Sequence, residues 1–154
     1  FSPSPFGVNQ PGYDLTEAKL ASYAELPLKE LRVGLRTSDG IVRSVNFDAA
    51  GPSLLALMTT KVASSLGYTA WANLVPGIYW VPLGGQEGVN PAETTYTKVR
   101  IGFRSVGCSD GSTSCNAAIG LGCYAQYNGV PNAAPVGAMR ANVWIPAFGY
   151  VWAR

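Results

Sequence analysis

Two stretches of the chain alternate apolar and polar residues with a period of two. The first, ELRVGLR, begins at Glu30, and the second, KVRIGFR, begins at Lys98. Successive side chains of a strand point to opposite faces, so this alternation predicts two half-buried β-strands. Ser-Asp-Gly follows each stretch, and these residues favour a turn. After the first turn the chain resumes with IVRSVNF, which predicts a β-hairpin.

The similarity between the two stretches continues further along the chain. LGYTAWANLVP, which begins at Leu66, matches LGCYAQYNGVP, which begins at Leu121, at its Leu, Gly, Ala, Asn, Val and Pro positions. WVPL, from Trp80, is matched in the same way by WIPA, from Trp144. Because three separated motifs recur in the same order, the sequence predicts an internal duplication with halves at about 28–84 and 95–148.

Two segments follow a helical pattern instead. DLTEAKLASYAEL begins with Asp14 and Glu17, which fit a capping box. In GPSLLALMTTKVASSLG, Pro52 suits a first helical turn and Gly67 can end a helix. The apolar stripe of this second segment consists of Leu55, Met58, Val62 and Leu66. The sequence therefore predicts short helices in both segments.

These patterns together predict a mainly β fold, a sandwich or open barrel with pseudo-twofold symmetry and one or two short α-helices. GIYWVPL and MRANVWI are typical of further strands, with Pro82 and Pro146 ending them or marking a sheet edge. The proline-rich residues 1–13 predict an extended N-terminal arm. We expect residues 14–154 to form a single domain.

The chain contains few charged residues for its length, and this bears on where the protein is found. Hydrophobic residues make up 47% of the 154 residues and charged residues only 13%, about half the usual charged share. No stretch approaches the roughly 20 apolar residues that span a bilayer as a helix. This favours an exported protein with a neutral exterior or a subunit buried against copies of itself. Phe1 in place of Met indicates removal of a leader or a tag. We therefore expect an extracellular or virion-surface location.

Three cysteines lie close together, and their spacing lacks the paired C-x-x-C halves of a zinc site. Cys108 and Cys115 flank the turn-like segment SDGSTS, which would let them approach and form a disulfide. Cys123 falls in the alternating register of Ile119 and Leu121, which is typical of a small buried hydrophobic residue. A bond from Cys123 to another subunit is the alternative.

The chain contains no histidine, which excludes Ser-His-Asp and Cys-His catalysis as well as His-ligated metals. A pair of carboxylates could still act as in glycosidases, but Asp39 and Asp110 occupy predicted turns. The sequence has no S-x-x-K motif, no P-loop and no complete G-x-G-x-x-G. We therefore predict a protein that is not an enzyme and uses no cofactor or metal.

The most specific chemical feature is the basic side chains on the two repeated strands. If both strands lie in one sheet, the arginines would project from a single face and could grip phosphates or carboxylates, or pair with acids of another subunit. A solvated face whose long side chains shield the sheet is the other interpretation. These candidates for anion or subunit contact are Arg32, Arg36, Lys98, Arg100 and Arg104.

Four tryptophans are spread across both predicted halves. They are Trp71, Trp80, Trp144 and Trp152. Tryptophans at equivalent positions beside a proline more often fill a core than bind a ligand, but an exposed set could stack on sugar rings.

A single function accounts for most of these features: a structural subunit of a virion coat or surface, or of an extracellular filament. Its partners would be copies of itself, with nucleic acid or another polyanion against the arginines. The alternative is a secreted carbohydrate-binding or adhesin-type module with a glycan partner. A third hypothesis, a small carboxylate-dependent hydrolase, requires two acids about 5 to 9 Å apart in a cleft.

Overall fold

The computed structural model describes residues 21–77, 84–91, 97–105, 117–127, 130–140 and 143–154. Within them the chain forms three short helices: α1 Ser22–Glu25, α2 Leu54–Leu57 and α3 Tyr68–Ala72. The strands described are β1 Leu28–Arg36, β2 Val42–Gly51, β3 Val62–Ala63, β4 Gly85–Val89, β5 Thr97–Lys98, β6 Ile101–Ser105, β7 Ala117–Tyr127, β8 Val130–Arg140, β9 Val143–Pro146 and β10 Phe148–Ala153. The prediction of a mainly β fold with short helices is confirmed.

The strands form two antiparallel sheets. A three-stranded sheet has the order β10-β1-β2, and a seven-stranded sheet has the order β3-β4-β6-β7-β8-β9, with β5 paired to β7. Ala147 alone separates β9 from β10, so the chain passes from the large sheet to the small one at this residue. The larger sheet curls into a half-barrel.

The predicted β1–β2 hairpin is confirmed. Arg36 pairs with Val42 at its closed end, and the turn between them contains Gly40 with φ 77. One carboxylate oxygen of Asp39 accepts bonds from the Thr37 hydroxyl at 2.8 Å and the Ile41 backbone N–H at 3.0 Å. The turn is therefore held by its own sequence, as the Asp and Gly positions predict.

The helix predicted for residues 52–67 is wrong beyond its first turn. α2 is four residues long, and the chain then turns through Thr59 and Thr60 into β3. The side-chain amide of Asn90 donates to the carbonyl oxygens of Met58 at 2.9 Å and Thr60 at 2.6 Å. Since these carbonyl groups are bonded by a side chain from a distant part of the chain, no further helical turn forms there.

A row of glycines crosses four neighbouring strands of the larger sheet. Directly opposite one another on β4, β6, β7 and β8 lie Gly88, Gly102, Gly120 and Gly137. The first three have φ of 116, 153 and 137, and a Cβ atom on any of them would overlap a carbonyl oxygen of the next strand. Only glycine permits this close approach, which accompanies the curl of the sheet.

The main core joins the inner faces of both sheets. It contains Leu31 and Val33 from β1, Phe103 from β6 and Ile119 from β7, each at most 4% exposed. Trp71 of α3 is fully buried in the same cluster, and its ring lies 5.9 Å from that of Phe47. One apolar cluster therefore holds the two sheets and α3 together.

The internal duplication is not shown by the structure. LGYTAWANLVP contains α3, whereas the described residues of the matching LGCYAQYNGVP belong to β7 and to the start of β8. The two arginine-bearing strands lie in different sheets. Trp80 and the strand predicted at GIYWVPL lie outside the described residues, as do the 1–13 arm, Asp14, Glu17 and Asp110. For LGYTAWANLVP and LGCYAQYNGVP the sequence similarity therefore does not correspond to a similarity of local structure.

Candidate functional site

The single arginine face predicted from the two repeated strands does not form. Arg32 and Arg36 belong to β1 in the small sheet, whereas Arg104 belongs to β6 in the large one. Arg104 is only 3% exposed, because β6 lies between β4 and β7 and both of its faces are covered. Arg100 precedes β6 and is exposed, as is Lys98 of β5. The predicted contact residues thus divide into separate surfaces.

On the outer face of the small sheet an aromatic ladder, Phe148, Tyr150 and Trp152, runs along β10. The Phe148 and Tyr150 rings lie 5.2 Å apart, and the Tyr150 and Trp152 rings stack at 5.5 Å. The Arg32 guanidinium lies 5.5 Å from the Trp152 ring centre and donates to the Ser44 hydroxyl at 2.9 Å. Trp152 also covers Gly34. The stacked rings and Arg32 therefore cover one another rather than presenting an open platform.

The hairpin turn at the end of this sheet carries a compact set of charges. The Arg43 guanidinium donates to the Asp39 carboxylate at 2.7 Å, and Arg36 donates to the Gly40 carbonyl at 3.2 Å. The bonds from Arg43, Thr37 and the backbone hold the pKa of Asp39 well below its usual range. Asp39 is therefore a turn-forming residue whose charge is matched within the hairpin.

A basic cleft lies beside the turn that follows α2. Its volume is about 530 Å³, and its lining includes Thr59, Thr60, Lys61, Asn90 and Arg100. The Arg100 guanidinium donates to the side-chain oxygen of Asn90 at 2.7 Å. None of the described residues that line this cleft carries a carboxylate. The cleft therefore combines two cationic side chains with neutral polar residues and with the apolar Met58 and Pro91.

Sequence reasoning identified Arg100 but missed Lys61 and Asn90. The two cations lie 39 positions apart in the chain, and the sequence near either shows no motif that would join them. Asn90 has φ 44, the left-handed conformation that Asn adopts more readily than most residues. No local signal predicts that its amide reaches back to the turn after α2.

Glu87 accepts hydrogen bonds from three different residues. Its oxygens accept from the Ser64 hydroxyl and the Trp71 indole N–H, both at 2.6 Å, and from the Gly67 backbone N–H at 2.9 Å. These donors come from the end of β3, from α3 and from the residue before α3. Glu87 therefore connects β4 to both elements, which is a structural role.

The tryptophan candidates have different environments. Trp71 is fully buried, so its ring is not exposed for stacking on a ligand. Trp152 is half-buried in the aromatic ladder, and Trp144 on β9 is 45% exposed. The structure therefore leaves Trp144 as the most exposed described candidate.

Cys123 is buried, as the alternating pattern predicts, at 3% exposure. It packs with Val99 and Ala118 in a small cluster separate from the main core. Burial raises the pKa of its thiol to about 12. A thiol enclosed in this way is poorly placed for a bond to another subunit. Cys108 and Cys115 lie outside the described residues.

The long strand β2 has an open edge. It is ten residues in length and pairs with β1 on one side, and no described strand pairs with its other side. Ile41, which leads into β2, is 55% exposed. An open strand edge offers unpaired backbone N–H and C=O groups to another chain.

Neither a metal-binding cluster nor a membrane-spanning helix is found among the described residues. No group of three or more Cys, Asp or Glu residues there could hold a metal ion, and none of the described helices has the length and apolar character to cross a membrane. Comparison of the chain with family models, with curated proteins and with solved structures finds no match.

Proposed function

We propose that the chain is a non-enzymatic structural subunit of a self-assembling particle or filament, a virion coat or surface protein or an extracellular filament protein, and that copies join through β2. The observation that carries this proposal is the edge of the ten-residue strand β2, with which none of the described strands pairs. Known sheet proteins commonly protect such edges with Lys, Pro or bulges. β2 contains neither Lys nor Pro along its length, and its register shift against β1 lies near its end, between the Glu30–Asp48 and Leu28–Gly51 pairs.

The sequence of β2 suits pairing with itself. Residues directly opposite each other in an antiparallel pair point to the same face, so a twofold axis at Asn46 places Ser44 opposite Asp48 of the partner subunit. The same axis places Val45 opposite the partner's Phe47 on the inner face. A hydroxyl–carboxylate pair and an aromatic–β-branched pair both stabilise antiparallel strands. Two copies would thereby form one continuous six-stranded sheet.

The remaining surface also supports assembly. The charged share of 13% reduces repulsion between copies. A particle or filament needs a second contact besides the twofold one, and exposed apolar side chains suit such a contact. Leu26 is 59% exposed and Trp144 is 45% exposed. The carbohydrate-binding alternative receives less support, because Trp71 is buried and Trp152 is stacked within the aromatic ladder.

Three of the described carboxylates make bonds that hold the fold together. Asp39 holds a turn, Glu87 joins three elements, and Glu30 pairs with Arg154 at 2.8 Å. Each of these bonds stabilises the folded chain itself, and none of them involves a bound substrate.

The test is the substitution Asn46→Lys. It places like charges opposite each other at the proposed twofold axis, so we expect self-association in analytical ultracentrifugation to weaken at least tenfold. Asn46→Thr, which keeps the edge neutral and favours a strand, should associate like the wild type. Ser38→Lys adds the same charge in the hairpin turn and is the matched control.

A second measurement reports the axis directly. Asn46→Cys should form a disulfide between two copies under mild oxidation, which peptide mass spectrometry detects as the residue-46 peptide linked to itself. Wild-type protein that remains monomeric at about 100 μM, with no particles or filaments in electron micrographs, would contradict the proposal. Association that N46K leaves unchanged would exclude β2 as the interface.

A further inference from the structure

Asp48 is an exposed carboxylate on the outer face of β2, and it lies beside a second acid. The residue directly opposite it on β1 is Glu30, and carboxylates in this position repel each other. Glu30 is already bonded to the Arg154 guanidinium at 2.8 Å. In the part of the chain that the structure describes, no residue donates a bond to Asp48 or forms an ion pair with it. Asp48 can therefore accept hydrogen bonds from another chain.

Ser44, on the same face of β2, has a hydroxyl proton to donate. The Nε–H group of Arg32 donates to the Ser44 hydroxyl oxygen at 2.9 Å. A hydroxyl group that accepts one bond in this way keeps its own proton for a further acceptor. Among the residues described, none accepts that proton. The neighbouring guanidinium polarises the hydroxyl group, which makes Ser44 a stronger donor than an isolated serine.

Arg32 is held in position and keeps its positive charge. Its guanidinium lies 5.5 Å from the Trp152 ring centre, and its bond to Ser44 fixes the orientation of the planar group. Arg32 is exposed, and none of the carboxylates described forms an ion pair with it. Because this geometry exists before association, less conformational entropy is lost when a carboxylate of another chain approaches.

The donor and the acceptor are placed symmetrically about Asn46. Ser44 lies two residues before Asn46 and Asp48 lies two residues after it. The twofold axis at Asn46 therefore sets Ser44 opposite the partner's Asp48, and at the same time sets Asp48 opposite the partner's Ser44. The Cβ atoms of residues opposite each other lie about 5 Å apart, a distance that a hydroxyl–carboxylate bond can bridge. A strand of another protein would need the same two groups at the same spacing to match β2.

We propose that copies of the chain recognise each other through two identical series of interactions, each running from Arg32 through Ser44 to Asp48 of the partner subunit. This inference rests on the assembly contact proposed above and adds the residues that make that contact selective for a second copy. The Ser44 hydroxyl donates to the partner's Asp48, and the Arg32 guanidinium supplies the opposite charge nearby. In the separate chain, Asp48 and Glu30 repel other acidic strands, so the same carboxylate also acts against wrong partners.

The test is charge complementation between two variants of the full chain. Ser44→Asp sets like charges opposite each other twice when that variant pairs with itself. Asp48→Lys removes the acceptor and sets a positive charge beside the partner's Arg32. Each variant alone should self-associate at least tenfold more weakly than the wild type in analytical ultracentrifugation. A mixed dimer has one contact between opposite charges and one wild-type contact, so an equal mixture should associate at least tenfold more tightly than either variant alone. Native mass spectrometry separates the three dimers by mass.

Two controls make the same charge changes at exposed positions outside β2. Ser38→Asp lies in the hairpin turn and Glu25→Lys lies in α1, and both should associate like the wild type. Recognition through these residues is excluded if S44D and D48K associate like the wild type while N46K is weakened, an outcome that retains the β2 contact. It is also excluded if mixing the two variants restores no association. Wild-type protein that remains monomeric contradicts the assembly contact itself, and this recognition with it. Thermal unfolding of each variant checks that the fold is retained.

Discussion

Arginines at matching positions of two similar sequences have different surroundings in this protein. Arg36 is half-buried at the end of β1 and donates to the Gly40 carbonyl at 3.2 Å, whereas Arg104, at the matching position, is 3% exposed within the larger sheet. The difference arises from the neighbours of each strand, since β6 is covered on both faces and β1 on one. The alternating pattern predicts that a side chain points away from its apolar neighbours, but it does not show what covers that face.

At the residue scale we predict that Cys123 resists alkylation in the folded protein. Burial raises the pKa of its thiol to about 12, compared with the ordinary 9.0. At pH 8 a much smaller fraction of this thiol than of an exposed thiol would be ionised, and the thiolate is the nucleophile. Iodoacetamide at pH 8 should therefore leave Cys123 unmodified until denaturant is added, as measured by peptide mass spectrometry.

The ionisation also has a consequence for stability. The folded state retains the Cys123 proton up to a higher pH than the unfolded state, so the free energy of unfolding falls as pH rises from about 9 towards 12. This loss should be smaller in Cys123→Ala, which serves as the control. Equal alkylation rates for native and denatured protein, or a dimer linked through Cys123 on a non-reducing gel, would contradict the buried position.

At the scale of single elements, the sequence was informative wherever the interactions are local. The β1–β2 hairpin follows from alternation and from the Asp39 and Gly40 turn, whose bonds join residues close in sequence. α2 differs because its length is limited by Asn90, which lies 30 residues from the Thr60 carbonyl that it binds. A helical stripe predicts which residues could form a helix, and the distant amide ends that helix early.

We predict that Gly102→Ala is strongly destabilising. The added Cβ would overlap the Ile119 carbonyl oxygen, and Gly102 has φ 153, a conformation that favours glycine. Backbone strain and overpacking together should lower the free energy of unfolding by about 3 to 5 kcal/mol, measured by urea denaturation.

Gly67→Ala is the matched control for this prediction. Gly67 also has a positive φ, of 79, but a Cβ there would meet nothing within 4 Å. Its cost should be only about 1 to 2 kcal/mol, from the backbone conformation alone. If Gly102→Ala and Gly67→Ala lower the free energy of unfolding by the same amount, the close contact between strands at Gly102 adds nothing to the cost of the substitution.

At the scale of the whole molecule, the last strand completes the smaller sheet. β10 pairs with β1 from Leu31 to Arg36, and the backbone of Arg154 exchanges bonds with Lys29 and Glu30. The chain arrives at β10 directly from β9 of the larger sheet. One edge of the small sheet is therefore built from residues more than 100 positions away from β1, and this pairing joins the two sheets.

We predict that removal of residues 148–154 abolishes cooperative folding. The deletion exposes the edge of β1 and uncovers Gly34, which Trp152 covers in the intact protein. Circular dichroism should show loss of a single thermal transition, and limited proteolysis should cleave both sheets. Arg154→Ala is the control, because it removes only the Glu30 ion pair, whose Arg154 side chain is 79% exposed, and should cost less than about 1 kcal/mol. A truncated chain that unfolds like the full one would show that the larger sheet folds alone.

The proposed assembly contact also belongs to this scale, since it depends on a strand edge that the fold leaves open among the described residues. β2 pairs with β1 on one side, and no described strand pairs with its other side.

The sequence by itself determined the mainly β fold, the first hairpin, the position of its turn and the burial of Cys123, because alternation and turn preferences act between residues that are close in the chain. Tertiary structure alone decided the division into two sheets, the burial of Trp71 and Arg104, the early end of α2 and the cleft at Arg100. These features depend on which strands become neighbours. Similar short sequences then acquire different structures, because packing against distant residues outweighs local preference.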